Sequence, residues 1–252
     1  MTDYDPTMVM DASRIELIDI FRWVGARERK ETRPITVLVG GWATYCYNKW
    51  YGSQDIDLIT NSKTRQSLMH YLKTKRDFMI LKRPMTRTSV EKKCVGGKIQ
   101  IDFGSREDLN SFEGLDEQLP YSVLDGRTES RDIQSGCSMI VPERTLLLIF
   151  KLKAAWDRAY RLNNKTSKDV EWDRSKLRKD HADILALLDP EAGGEELDIQ
   201  YLGEKLNEYS FLVGTLRVIA NDRDAVNSYR RMNQEKAREN IETLILLAEP
   251  RD

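Results

Sequence analysis

The sequence predicts an α+β protein, with a small mixed β-sheet core carrying helices, followed by an all-helical C-terminal domain. Three observations carry this. Short apolar runs punctuated by Gly, Pro and charged residues fill the first part: Ile35–Val39, Ile56–Ile59, Phe78–Leu81 and Lys98–Phe103. Gly96-Gly97, between Ser89–Val95 and Lys98–Phe103, is a two-residue hairpin signal. From Pro142 onward apolar residues recur at helical spacing, beginning with Leu146, Ile149, Phe150, Leu152 and Trp156. The expected domains are 1–140 and 141–252.

Taken in order, residues 1–10 show no pattern and read as loose. Ser13 is the expected cap of a first helix with Ile15, Ile18, Phe21 and Val24 on one side. Ile35–Val39 reads as a buried strand that ends abruptly at Gly40-Gly41. Trp42–Tyr51 reads as a short helix stopped by Gly52. Asn61–Lys75 is a basic amphipathic helix with Leu68 and Leu72 inward. The stretch 105–135 is acidic, turn-rich and irregular, and is expected to wrap an edge. Thr145–Asn163 and Trp172–Leu188 are long helices, the second stopped by Pro190. Gly193-Gly194 reads as a linker, and Leu197–Asn207 and Phe211–Leu247 supply further helices.

The chain has 252 residues, 40% hydrophobic and 32% charged, an ordinary globular composition. No apolar run approaches the roughly 20 residues that span a bilayer, so no membrane partner is expected. No signal-peptide pattern opens the chain. Cys46, Cys94 and Cys137 are odd in number and far apart, which points to a reducing, cytoplasmic setting without a disulfide framework. Two histidines, His70 and His181, are too few for a His-based metal site, so any metal should be oxygen-bound. Charge is segregated. Residues 61–98 carry 11 Lys/Arg against two acidic residues, 144–180 carry 11 against five, and 102–143 carry ten acidic residues against three basic. Two basic blocks beside an acidic stretch fit a polyphosphate or nucleic-acid ligand.

The chemistry concentrates between Val37 and Leu58. Asp55 and Asp57 are one residue apart in an apolar frame, so on a strand they point the same way. Paired carboxylates repel and lose hydration unless a cation sits between them. Hard cations such as Mg²⁺ prefer such oxygens and leave room for substrate phosphates. Gly40-Gly41 lets the backbone approach a phosphate closely. Asp102 lies on the polar face of Lys98–Phe103, with Ile99, Ile101 and Phe103 on the other face. Three carboxylates and a Gly-Gly turn suit two-metal phosphoryl or nucleotidyl transfer.

These residues resemble a known superfamily. Gly40-Gly41, then Ser53-x-Asp55-Ile56-Asp57, then Ile101-Asp102, is similar to the signature of DNA-polymerase-β-like nucleotidyltransferases. Pro142-Glu143, Leu147, Lys151-Leu152-Lys153-Ala154, Asp157-Arg158 and Lys179-Asp180-His181-Ala182-Asp183-Ile184 resemble the C-terminal motifs of AbiEii-type members, many of which are toxins of toxin–antitoxin systems. The resemblance spans roughly Ile35 to Leu188. It implies that Gly40, Gly41 and Ser53 contact a triphosphate, and that Asp55, Asp57 and Asp102 bind metal. It makes Asp102 the activator of the acceptor hydroxyl. It gives Lys151 the nucleotide phosphates and has Arg158 line the same groove. Either Asp180 or Asp183 would position Lys151 or assist proton removal. Two departures concern the substrate side: Tyr51-Gly52 stands where some members have Arg, and Lys179-Asp180 where Arg-Asp is common.

The expected activity is therefore a Mg²⁺-dependent nucleotidyltransferase moving an NMP from an NTP to a hydroxyl. RNA is the first acceptor expected, at a tRNA 3′ end, with a cognate antitoxin protein as a partner. Transfer to a small molecule or a protein side chain, and a non-catalytic RNA-binding module, remain alternatives. By residue type alone, Lys151 and Arg158 also read as a solvated helix stripe. His181 reads as an interhelical or surface histidine. Trp42, Trp50, Trp156 and Trp172 read as core or interface residues, and nothing in the sequence selects one to stack a base.

Overall fold

A computed structural model describes residues 4–81 and 88–248. Lys82, Arg83 and Arg87 of the first basic block lie outside the described residues. The fold is α+β, with a five-stranded mixed sheet, a two-stranded sheet and a helical C-terminal part. The chain divides into two compact units. One is Met1–Asp108 with Pro120–Pro142, and the other is Leu109–Leu119 with Glu143–Asp252.

The first unit opens with α1 (Pro6–Glu28), much earlier than Ser13 suggested. Asp5 is the N-cap, accepting from the Thr7 and Met8 amides at 2.9 and 3.3 Å, and Pro6 fills the first turn, where its missing N–H costs nothing. Ser13 is instead fully buried inside the helix and accepts a hydrogen bond from the Trp42 indole N–H at 3.0 Å. Helix α2 spans Gly40–Tyr47, not Trp42–Tyr51, because the backbone is already extended at Asn48. Gly52 is no cap. A Cβ there would lie 2.7 Å from the Trp42 ring, so glycine is required by close approach.

The sheet order is β1-β2-β5-β4-β3, with β1 (Val37–Val39), β2 (Asp55–Ile59), β3 (Met79–Leu81), β4 (Thr88–Cys94) and β5 (Gly97–Gly104). The central pair β2 and β5 is parallel and the other pairs are antiparallel. Helix α3 (Ser62–Lys75), capped by Asn61, buries Leu68 and Leu72. One face of the sheet carries Ile56, Leu58, Ile99, Ile101 and Phe103, all buried. Lys92 shares that face, being paired with Ile99, and its ammonium reaches Glu16 of α1 at 2.8 Å. Arg76 meets the same carboxylate at 2.9 Å. Helix α1 therefore covers the apolar face, and the carboxylate face is the opposite one.

The β4–β5 turn is Val95-Gly96, with Cys94 paired to Gly97. A Gly96-Gly97 loop would have put Asp102 across from Glu91. The actual register puts it across from Ser89. Both glycines are set by α1. A Cβ on Gly96 would lie 2.8 Å from the Asp5 carbonyl, and one on Gly97 2.9 Å from Val9.

The stretch 105–135 is more regular than its composition suggested. Within it and just beyond lies a hairpin, β6 (Thr128–Gln134) and β7 (Cys137–Pro142), turning at Ser135-Gly136 with Gly136 at φ 74. Ile133, Met139 and Val141 are its buried side.

The second unit is built on α4 (Arg144–Asn163) and α5 (Val170–Leu188), packed against each other. Around them lie α6 (Ile199–Glu208), α7 (Phe211–Ile219), α8 (Arg223–Tyr229) and α9 (Gln234–Ala248). Leu109–Leu119 joins this unit through Phe112, whose ring lies 5.1 Å from Tyr209 and 4.9 Å from Phe211. The Trp156 indole donates to the Glu113 carbonyl at 3.2 Å, and the Glu113 amide to Asp157 at 3.0 Å. Among the described residues no helix is long and apolar enough to cross a membrane.

Candidate functional site

The carboxylates come together on the first unit's sheet. Adjacent paired residues point the same way from a sheet, and Asp57 is paired with Asp102 across the parallel β2–β5 junction. Asp55 sits two residues before Asp57, paired with Gln100. A polar row thus crosses the sheet from Ser89 through Asp102 to Asp57, ending at Val39 beside Gly40. The apolar neighbours Ile56, Leu58, Ile101 and Phe103 anchor both strands from the other side.

Gly40 closes the row. Its φ is 73, in the left-handed region, and a Cβ would stand 2.2 Å from Asp57 Oδ2. The first turn of α2 thus lies directly on that carboxylate. Gly41 follows as a buried helical residue, and Ser53 is buried in the extended segment leading into β2.

Asp102 is held by its own sheet. The Gln100 amide donates to both carboxylate oxygens, at 2.8 and 3.0 Å, and the Ser89 hydroxyl donates to Oδ1. Residue-type reasoning did not single out Gln100 or Ser89. The two-residue alternation on β5 would have found Gln100, and the correct hairpin register would have found Ser89.

Carboxylate oxygens on one face are donors of the kind a hard divalent cation takes. Asp55, Asp57 and Asp102 fit in kind. Among the described residues no group of three or more His, Cys, Asp or Glu side chains is arranged to hold a metal ion. The hydrogen bonds from Gln100 and Ser89 engage Asp102 within the sheet.

The second unit gathers the other expected residues. Lys151 of α4 is buried, and its ammonium donates to Asp180 at 3.1 Å and to Asp183 at 2.6 Å, both on α5. Lys179 reaches Asp183 at 2.8 Å, and Arg158 pairs with the other oxygen of Asp180. Asp180 and Asp183 both position Lys151, three residues apart on one helix face. Burial opposes the charge on Lys151, but Asp183 and Asp180 outweigh it and hold its pKa above the usual lysine value. Burial drags Lys179 below its usual value, against Asp183 and with help from Lys151. Burial opposes the charge on Asp180 too, yet Arg158, Lys151 and Lys179 hold its pKa below the usual carboxylate value. The cluster is not a solvated stripe.

The same unit changes the meaning of the second basic block. Arg144 is buried and donates to the carbonyls of Leu187 and Ala192 at 3.1 and 2.6 Å. Lys153 pairs with Asp157 and Arg161 with Asp173 at 2.7 Å. Much of that positive charge is neutralised internally. In the first block, Lys63, Lys73 and Lys75 of α3 are exposed. His181 is interhelical, its Nδ1 lying 2.6 Å from Asp222, the N-cap of α8.

No protein-family model matches the chain, and no curated protein matches it.

Proposed function

We propose that this chain is a nucleotidyltransferase that moves a nucleoside monophosphate from an NTP to an acceptor hydroxyl, releasing pyrophosphate. The observation that carries the reading is the polar row itself. Asp57 and Asp102 are paired across parallel strands, Asp55 is on the same face, and the Gly40 turn is seated on Asp57. Asp55, Asp57 and Asp102 would hold magnesium, which supplies charge neutralisation for the phosphates and acidifies the acceptor hydroxyl. Asp102, kept in position by Gln100 and Ser89, takes the hydroxyl proton as the oxygen attacks the α-phosphorus. The Gly40-Gly41 backbone and Ser53 hold the triphosphate. The family resemblance also assigns Lys151 and Arg158 of the second unit to nucleotide phosphates, and within that unit both are paired with carboxylates of α5.

RNA is the acceptor proposed, at a tRNA 3′ end, supported by the exposed lysines of α3. The internal pairing of residues 144–180 favours a second reading, transfer to a small molecule or a protein side chain. One assay tests both. Purified protein with Mg²⁺ is given each α-labelled NTP with total RNA, beside Asp55→Ala/Asp57→Ala. Label in tRNA-sized RNA, absent with the variant, is the expected result. Label in protein or small molecules moves the acceptor and keeps the site. No transfer with any NTP refutes the enzyme and leaves an RNA-binding module. A toxin role with a cognate antitoxin follows from the resemblance, and it predicts growth arrest that Asp57→Ala abolishes.

A further inference from the structure

We infer that Trp172, with Arg158 and Lys176, forms a stacking site for the base of a nucleotide. The choice of a nucleotide as ligand rests on the transfer reading above. The structure sorts the tryptophans that sequence alone could not. Trp42 is buried and bonded to Ser13, and Trp156 packs 4.6 Å from Phe211 and donates to Glu113. Trp23 lies against Tyr71 and beneath Arg27, and Trp50 against Tyr51. Among the described residues Trp172 is the tryptophan left open, 48% exposed at the start of α5. Base stacking needs an aromatic ring with exposed area, and Trp172 has it.

Its surroundings specify the ligand. The Arg158 guanidinium carbon lies 5.7 Å from the ring centre and the Lys176 ammonium 5.6 Å. Arg158 is fixed there by Asp180 and by the Ala154 carbonyl at 3.3 Å. A half-exposed flat indole with two cations near its ring matches a base joined to a phosphate. The base stacks on the open part of the ring, and the cations neutralise the phosphate. The base could belong to the NTP or to the end of a single-stranded RNA, and the chemistry at Trp172 is the same.

The test is direct binding. Fluorescein-labelled single-stranded oligoadenylate is titrated by anisotropy and ATP by calorimetry, both in magnesium buffer. The proteins are wild type, Trp172→Ala, Trp172→Phe, Lys176→Glu and Asp57→Ala. Trp172→Ala is expected to weaken at least one ligand by about 5- to 100-fold, with Trp172→Phe restoring most of the loss. Lys176→Glu, which leaves the ring in place, is expected to weaken the same ligand. Loss with oligoadenylate alone identifies the acceptor strand, and loss with ATP alone identifies the donor nucleotide. If neither ligand binds wild type, or if both bind Trp172→Ala and Lys176→Glu as tightly as wild type, the site is overturned. Binding that depends on Trp172 in a protein that transfers nothing would sink the transfer reading and leave this site standing. Asp57→Ala is expected to lose transfer.

Discussion

Gly40 and Asp57 are in contact through backbone and carboxylate, with room at Gly40 for a hydrogen and nothing larger. A Cβ on Gly40 would lie 2.2 Å from Asp57 Oδ2 and 3.0 Å from its Cγ. The turn that ends β1 is therefore shaped around a side chain of β2, its direct neighbour in the sheet. A glycine at φ 73 also adopts this turn without the strain an L side chain would add.

Gly40→Ala is expected to lower stability by about 1–3 kcal/mol from the left-handed backbone alone. It is also expected to push Asp57 out of the row and abolish transfer. Chemical denaturation reads the first effect and the labelled-NTP assay the second. A variant with wild-type transfer would show that the contact has no part in the site.

Asp102→Asn keeps the size of the side chain but removes the carboxylate that accepts from Gln100 and Ser89. Loss of a general base costs typically about 10²–10⁴-fold in rate, and kcat is expected to fall in that range with the fold intact. Gln100→Leu should give a smaller loss, because it frees the orientation of Asp102 and leaves its charge. Equal loss in both variants would assign the effect to folding, which circular dichroism would register.

Asp183 is fully buried and receives both Lys151 and Lys179, so Asp183→Ala removes the carboxylate that two ammonium groups share. Removing one partner of a buried ion pair costs about 3–5 kcal/mol, and a drop of that size in urea-unfolding free energy is expected. Asp180 contributes to the pH dependence. Its folded pKa lies below the unfolded value, despite burial, because of Arg158, Lys151 and Lys179. Its contribution is thus present above the unfolded value of about 3.9 and is lost as pH falls through the folded one. Asp180→Asn should be less stable at neutral pH and show a flatter acid limb in unfolding experiments.

Ser13→Ala would strip the buried Trp42 indole N–H of its acceptor. A buried donor left unsatisfied costs about 1–3 kcal/mol, so thermal denaturation should show a clear loss despite the small change in volume. Wild-type stability would mean that the indole finds another acceptor.

The sequence by itself determined the α+β class, strands close to Ile35–Val39 and Ile56–Ile59, a helix close to Asn61–Lys75, and two long helices close to Thr145–Asn163 and Trp172–Leu188. It also determined that Asp55, Asp57 and Asp102 are strand residues on polar faces. These features follow from local periodicity, which acts within a few residues of the chain. The structure decided what depends on distant partners. Gly96 and Gly97 read as a hairpin loop, yet their lack of side chains serves the approach of Asp5 and Val9, and this sets the register that gives Asp102 its Ser89. Ser13 reads as a cap and is an acceptor for an indole 29 residues away. Lys151, Lys153, Arg158 and Arg161 read as part of a basic surface and are held in internal ion pairs, because their acidic partners stand on the facing helix or one turn away. Composition counts charges, and only packing brings each one to its counter-charge.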